Sequence, residues 1–250
     1  MKRWMVSVLV GLVACAAGPV ASASAGTNTG RDPAPIAGKQ RIHRHQVYST
    51  NWSGYAAHNA TFKSVSGSWV QPSVDCTGIK GQRETVATFF IGLDGYDSST
   101  VEQTGVDAIC VGQTKYYVPW YEFYPQPAVF FFDDAVVPGD TLNVTVSQSG
   151  GTVATTLEDP SRSWSPITGS ESADSLALNS AEWIVESPAH ALSDYGSVHF
   201  SSGMATSGNT TAAIDHWDTD EIIMVKGRKI ISDPQDSLSG GAFDVTWFGR

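Results

Sequence analysis

Residues 138–157 read Pro138-Gly139-Asp140-Thr141-Leu142-Asn143-Val144-Thr145-Val146-Ser147-Gln148-Ser149-Gly150-Gly151-Thr152-Val153-Ala154-Thr155-Thr156-Leu157. Apolar and polar side chains alternate through Thr141–Ser147 and Thr152–Leu157, the period of a half-buried strand. Pro-Gly-Asp precedes the first run and Gly150-Gly151 separates the two, which is turn punctuation. Outward from this stretch, short β-rich runs recur at Ser64–Val70, Val86–Leu93, Tyr116–Tyr124, Ala181–Glu186, Ser197–Phe200, Ile222–Val225 and Phe243–Phe248. No window carries a sustained helical stripe, and no repeat has the roughly 20–50 residue period of a solenoid. Many short strands without intervening helices predict an all-β sandwich or barrel rather than a parallel α/β sheet.

The chain has 250 residues, 41% of them hydrophobic, enough to bury a sizeable core in one large or two small domains. A formal charge of −10 would repel a phosphate backbone, so nucleic-acid binding is disfavoured. Eight Trp, eight Tyr and ten Phe supply more apolar area than a disordered chain carries. Three cysteines are too few for a disulfide scaffold or a zinc module.

The first 25 residues read as a secretory signal peptide. Lys2 and Arg3 precede an apolar run from Val6 to Ala17, and A-x-A cleavage sites end at Ala23 or Ala25. The run is too short to span a membrane. Leu12-Val13-Ala14-Cys15 also resembles a lipoprotein cleavage box, which would leave Cys15 lipidated. The expected product is secreted and extracellular, free of the membrane after signal cleavage.

Residues 26–47 hold Arg31, Lys39, Arg41, His43, Arg44 and His45 against a single acid, Asp32. From Tyr48 onward nine Lys+Arg face 24 Asp+Glu, a net of −15. The basic stretch is therefore either a solvated linker or a short pro-segment able to lie across an anionic cleft, and residues 48–250 form the functional domain. Cys76 and Cys110 remain after signal cleavage. In an oxidising compartment an even pair reads as a disulfide, the alternative being two buried thiols.

Hydrolase and cofactor motifs are absent: no G-x-S-x-G, H-E-x-x-H, phosphate-binding glycine loop, or D-T-G or D-S-G triplet occurs. His58, His190, His199 and His216 lack metal-ligand spacing and read as surface or satisfied side chains. What remains is carboxylates and amides among aromatics, in three segments. In Val101-Glu102-Gln103-Thr104-Gly105-Val106-Asp107, which follows Phe90-Ile91-Gly92-Leu93-Asp94-Gly95, an extended chain puts Gln103, Gly105 and Asp107 on one face and Glu102 on the other. In Trp120-Tyr121-Glu122-Phe123-Tyr124-Pro125, Trp120, Glu122 and Tyr124 share a face. In Asn179-Ser180-Ala181-Glu182-Trp183-Ile184-Val185-Glu186, the apolar face of Ala181, Trp183 and Val185 places Glu182 opposite. Acids in strands are ordinarily on a solvated face, and pattern alone does not distinguish Gln103 from a surface amide.

These segments resemble the signature stretches of the glutamic peptidases, or eqolisins, a family of acid endopeptidases. Asn51-Trp52-Ser53-Gly54-Tyr55, Val65-Ser66-Gly67-Ser68-Trp69-Val70 and Asp194-Tyr195-Gly196-Ser197-Val198-His199-Phe200 add to the resemblance, which runs in order from about residue 50 to 207. It implies a sandwich of two curved antiparallel sheets, of the concanavalin A-like lectin/glucanase type, with the active site on the concave face. It implies a catalytic pair of Gln103 and Glu182, with Trp52, Asp94, Asp107, Trp120 and Glu122 as supporting cleft residues. Phe90 stands where the family often has Trp, a departure that bears on the cleft wall.

A Glu carboxylate can take a proton from water and return it to the leaving amine, while a Gln amide holds the water and donates N–H to the oxyanion. Asp94, Asp107 and Glu122 are expected to raise the pKa of Glu182. The expected enzyme is a pepstatin-insensitive, acid-active monomer that acts on polypeptide substrates and requires neither metal nor cofactor. The alternative is a secreted carbohydrate-active sandwich using Glu122 and Glu182, which leaves Gln103 without a role.

Overall fold

The computed structural model describes residues 33–43, 45–79, 83–188 and 191–249. The expected signal peptide, Cys15, residues 26–32 of the basic segment and His190 lie outside the described residues. In chain order the strands are β1 (Gln40–His43), β2 (Gln46–Ser49), β3 (Trp52–His58), β4 (Phe62–Val70), β5 (Glu84–Leu93) and β6 (Val101–Val111). There follow β7 (Thr114–Tyr124), β8 (Val129–Phe130), β9 (Thr141–Ser149), β10 (Thr152–Glu158), β11 (Ile167–Ser172) and β12 (Ala181–Glu186). The last are β13 (Ala191–Leu192), β14 (Ser197–Ser207), β15 (Thr210–Ala213), β16 (Asp218–Lys226), β17 (Lys229–Asp233) and β18 (Phe243–Trp247). Helix among the described residues is confined to a 3-10 turn at Ile214–His216.

Pairing divides the strands into two layers. One runs β1-β2-β16-β3-β12-β5-β6-β7-β8. The other runs β14-β4-β9-β10-β11, with β18 and β15 on the far side of β14. β17 pairs with both β16 and β18, so the layers join at one edge into a continuous hydrogen-bond network. The ladders are antiparallel except β2–β16 and β13–β5.

The period-2 pattern sends alternate residues into the space between layers. From the first layer come Phe89, Ile91, Leu93, Val106, Ala108, Ala181, Trp183 and Val185, and from the second Phe62, Val65, Trp69, Leu142, Val144, Val146, Val153 and Leu157. Trp183 also donates its Nε1–H to the Ser66 carbonyl of the opposite layer at 2.9 Å. Full burial of each large side chain stabilises by roughly 1.5–3 kcal/mol. The expected sandwich is the fold. Cys76 and Cys110 are disulfide-bonded, with Cα atoms 5.5 Å apart, tying the segment after β4 to β6.

The first layer is buried on its second face as well. Trp52, Ala56, Phe90, Trp120, Ile184 and Ile222 form a separate apolar cluster there, joined by Tyr96 from the β5–β6 loop and Ile36 from the N-terminal segment. The boundary between residues 47 and 48 falls within β2, and both β1 and β2 belong to this layer.

Candidate active site

The register of the first layer aligns the expected pair. Glu182 lies opposite Ala56 on β3 and Gly92 on β5. Gly92 in turn lies opposite Gln103 on β6, and Gln103 opposite Glu122 on β7. On the other side Ala56 is opposite Asp220 of β16. Directly opposed residues point to one face. The side chains of Asp220, Glu182, Gln103 and Glu122 therefore form a row across the sheet, interrupted only by Ala56 and Gly92. With neighbouring strands about 4.8 Å apart, the Glu182 and Gln103 backbones are separated by about 10 Å. No side chain at Gly92 stands between them, and a Cβ there would come within 2.9 Å of the Gln103 Cβ.

The Gln103 amide nitrogen donates to Glu122 Oε2 at 2.7 Å, while Gln103 Oε1 has no protein partner. An amide nitrogen has two N–H groups, so the tie to Glu122 fixes the orientation of the amide and leaves the second N–H available. All three side chains of this trio are buried. Burial is the leading cause that raises the Glu182 pKa well above the usual carboxylate value. The nearby carboxyl groups of Asp94, Glu102 and Asp97 add to it, against a lowering by the Ser180 hydroxyl. The expected push from Asp107 and Glu122 is thus secondary to burial and to a different set of acids.

The next row on the same face is Ile184, Phe90, Gly105, Trp120 and Phe130, the apolar wall beside the polar one. Phe90 lies 5.5 Å edge-on from Trp52 and 6.3 Å from Trp120. Asp107 sits one row further on, accepting from Trp120 Nε1 at 3.0 Å and from Thr88 Oγ1 at 2.7 Å, and so fixes the Trp120 ring. Trp52 donates Nε1–H to Glu186 Oε2 and to the Ala34 carbonyl.

Asp94 is placed differently from the other supporting residues. Its carboxylate accepts the backbone N–H groups of Leu178 and Asn179, both at 2.8 Å, and its own N–H donates to the Ser180 carbonyl. It thereby pins the segment that leads into β12, setting where Glu182 emerges. Glu186, Glu102, Tyr96 and Asp220 are neighbours that were not singled out in the sequence as site residues. Glu186 was visible only as the last residue of the third segment, and Glu102 as the residue on the reverse face. Tyr96 and Asp220 gave no signal, since one sits in a loop and the other's position depends on pairing between distant strands.

A model of the Peptidase A4 family matches residues 50–245, spanning every residue of this row. The chain belongs to the Peptidase A4 family. This is the glutamic peptidase, or eqolisin, family, and membership makes the protein a peptide hydrolase. The chain is 31% identical over 230 residues to Aspergillopepsin-2 of Aspergillus niger, covering 81% of this chain and 79% of that one. Among solved structures it is similar to aspergilloglutamic peptidase from Aspergillus niger, at 30% identity and a TM-score of 0.58, covering 66% of this chain and 99% of the other. It also shares the fold of scytalido-glutamic peptidase bound to a transition state analog inhibitor. That match has a TM-score of 0.67 at 23% identity, covering 80% and 98% of the two chains. Among the described residues no group of three or more His, Cys, Asp or Glu could hold a metal ion.

Proposed function

We propose that the protein is a secreted acid endopeptidase in which Gln103 and Glu182 are the catalytic pair. The observation that carries this reading is the row itself: two buried polar side chains flank Gly92 on one face, with Gln103 Oε1 lacking a protein partner. A water between them can donate to Glu182 and be held by Gln103 Oε1. Glu182 takes its proton as the oxygen bonds to the scissile carbonyl carbon, and the carbonyl oxygen becomes an oxyanion. The free N–H of Gln103 stabilises that charge. Glu182 then returns the proton to the amide nitrogen as the C–N bond breaks, giving a new carboxyl and amine. The signal-peptide-like leader supports secretion, and no step requires a second subunit. In this reading residues 26–47 are a basic linker that stays with the domain, β1 and β2 being paired into its first layer.

The carbohydrate-active alternative needs Glu122 and Glu182 to flank one bond. Gln103 lies between them and is hydrogen-bonded to Glu122, which disfavours it. The test is digestion of denatured protein across pH 3–7 with pepstatin present, beside a polysaccharide panel. Glu182→Gln and Gln103→Ala should each lower kcat by about 10²-fold or more while remaining folded. Wild-type turnover by folded Gln103→Ala would refute the assignment.

A further inference from the structure

Asp220 ends the polar row, one small residue beyond Glu182. Its carboxylate is wholly buried and is gripped by Arg41 in a two-pronged pair, Nη1 to Oδ1 at 2.9 Å and Nη2 to Oδ2 at 2.5 Å. Tyr96 donates its hydroxyl to Oδ2, and His58 Nε2 lies 3.2 Å from the same oxygen, its ring stacked on Tyr96. Asp218 and His45 stand at the rim, His45 Nδ1 being 3.3 Å from Asp218 and 3.9 Å from Asp220.

Arg41 differs from the other partners in how it is held. Tyr96 and His58 are buried in the domain, whereas the Arg41 side chain is 50% exposed and sits on β1, which pairs only with β2. We propose that Asp220 is a binding site for a cationic side chain of the polypeptide substrate, filled in this chain by its own Arg41. The proposal rests on the peptidase reading above. Three strand spacings, about 14 Å, separate the Asp220 and Gly92 backbones, which is about four residues of extended peptide. A substrate lying across the sheet thus carries one side chain to Asp220 when its scissile bond is over Gly92. Withdrawal of Arg41 leaves a buried carboxylate with the Tyr96 hydroxyl as its donor, His58 Nε2 3.2 Å away, and an unfilled guanidinium position. A planar guanidinium restores both hydrogen bonds together with the compensating charge, whereas a neutral amide can donate hydrogen bonds but brings no charge.

The test uses the full chain and two sets of peptides differing only by Arg or Gln, placed in turn at the second to fourth residue on each side of the scissile bond. The readout is the Arg/Gln ratio of kcat/KM. At one position Arg41→Ala should raise the ratio at least 10-fold over the unmodified chain, and Arg41→Lys, which keeps a charge without the fork, should raise it less. Arg41→Ala combined with Asp220→Asn should return the ratio to near one; if that double variant does not fold, the Arg41 series decides by itself. A ratio within twofold of one at every position in Arg41→Ala overturns the proposal, as does a preference that survives Asp220→Asn. Cleavage of neither peptide would overturn the peptidase reading together with this one, whereas indiscriminate cleavage overturns this one alone.

Discussion

A methyl group at position 92 would press on the Gln103 Cβ at 2.9 Å and on the Glu102 carbonyl at 3.1 Å, between the two proposed catalytic side chains. Overpacking of this kind costs about 1–3 kcal/mol, and a shift of about 1 Å in a reacting group can cost 10²-fold in rate. Gly92→Ala should therefore lower kcat by at least about 10-fold with a smaller change in KM, as read by steady-state kinetics on a folded variant. On the reverse face of β6, Glu102 points into the core between Leu93 and Phe123. Burial first, then the charge of Asp94, pushes its pKa up to about 9. The native state thus holds a proton there that the unfolded chain releases above about pH 4.5. Glu102→Gln keeps the shape and removes that penalty. Its melting temperature should exceed the parent's at pH 7.5, by about 2–4 °C for each kcal/mol, and match it near pH 4. Equal melting temperatures at both pH values would contradict the burial of a neutral Glu102.

At the scale of elements, β6 carries the most consequence: it presents Gln103 to the site and Glu102 to the core, and it ends in the disulfide at Cys110. The bond to Cys76 closes a 34-residue separation. Removing it should cost about 2–5 kcal/mol, seen as a lowered melting temperature of Cys76→Ser/Cys110→Ser under non-reducing conditions. The strands that pattern reading found, such as β4, β9 and β10, are half-buried and alternate cleanly. β3 and β12 are buried on both faces, so alternation is lost along them. β12 was still legible as the short β-rich run Ala181–Glu186. β11 escaped for the opposite reason, its Thr-Gly-Ser-Glu-Ser run being polar on an edge.

Taken as a whole, the molecule concentrates acids where water is excluded. Burial raises the pKa of Asp94, Glu102, Glu171, Glu182, Glu186 and Glu221 above their ordinary values. A raised folded pKa means that the native state binds more protons than the unfolded one. The stability from these groups is complete below about pH 4 and is lost as pH climbs through the folded values. His58, raised by its bond to Asp220, loses its contribution in the same direction. Asp220 and Asp140 oppose this. Burial alone would raise them, but His58, Arg41 and Tyr96 outweigh it at Asp220, as Arg162 does at Asp140, and both are lowered. Their contribution is lost only as pH falls below the usual carboxylate range. The melting temperature should accordingly be highest at moderately acid pH and fall toward pH 8–9; a higher value at pH 7.5 than at pH 4 would refute this balance. In the pH–rate profile the acid limb should lie above the ordinary Glu value of about 4.3, because Glu182 must be ionised to accept the proton of water.

Alternation and turn residues by themselves determined an all-β sandwich or barrel, because a strand half in a core writes its period into the chain, and the family resemblance narrowed this to the sandwich. The strings around Gln103 and Glu182 likewise determined the family, and the cysteine count, read with a signal-peptide-like leader, pointed to the disulfide. Only the tertiary structure decided what stands beside the pair. Glu182 meets Gln103 across Gly92, Glu122 steers the amide, and Asp220 continues the row, through pairings between strands up to 164 positions apart, as with Asp220 and Ala56. Such register is set by burying both faces of a sheet at once, an energy that no local window contains. The same holds for charge: a sequence counts carboxylates, but only packing decides that Glu102 is neutral in a core while Asp220 is ionised under an arginine.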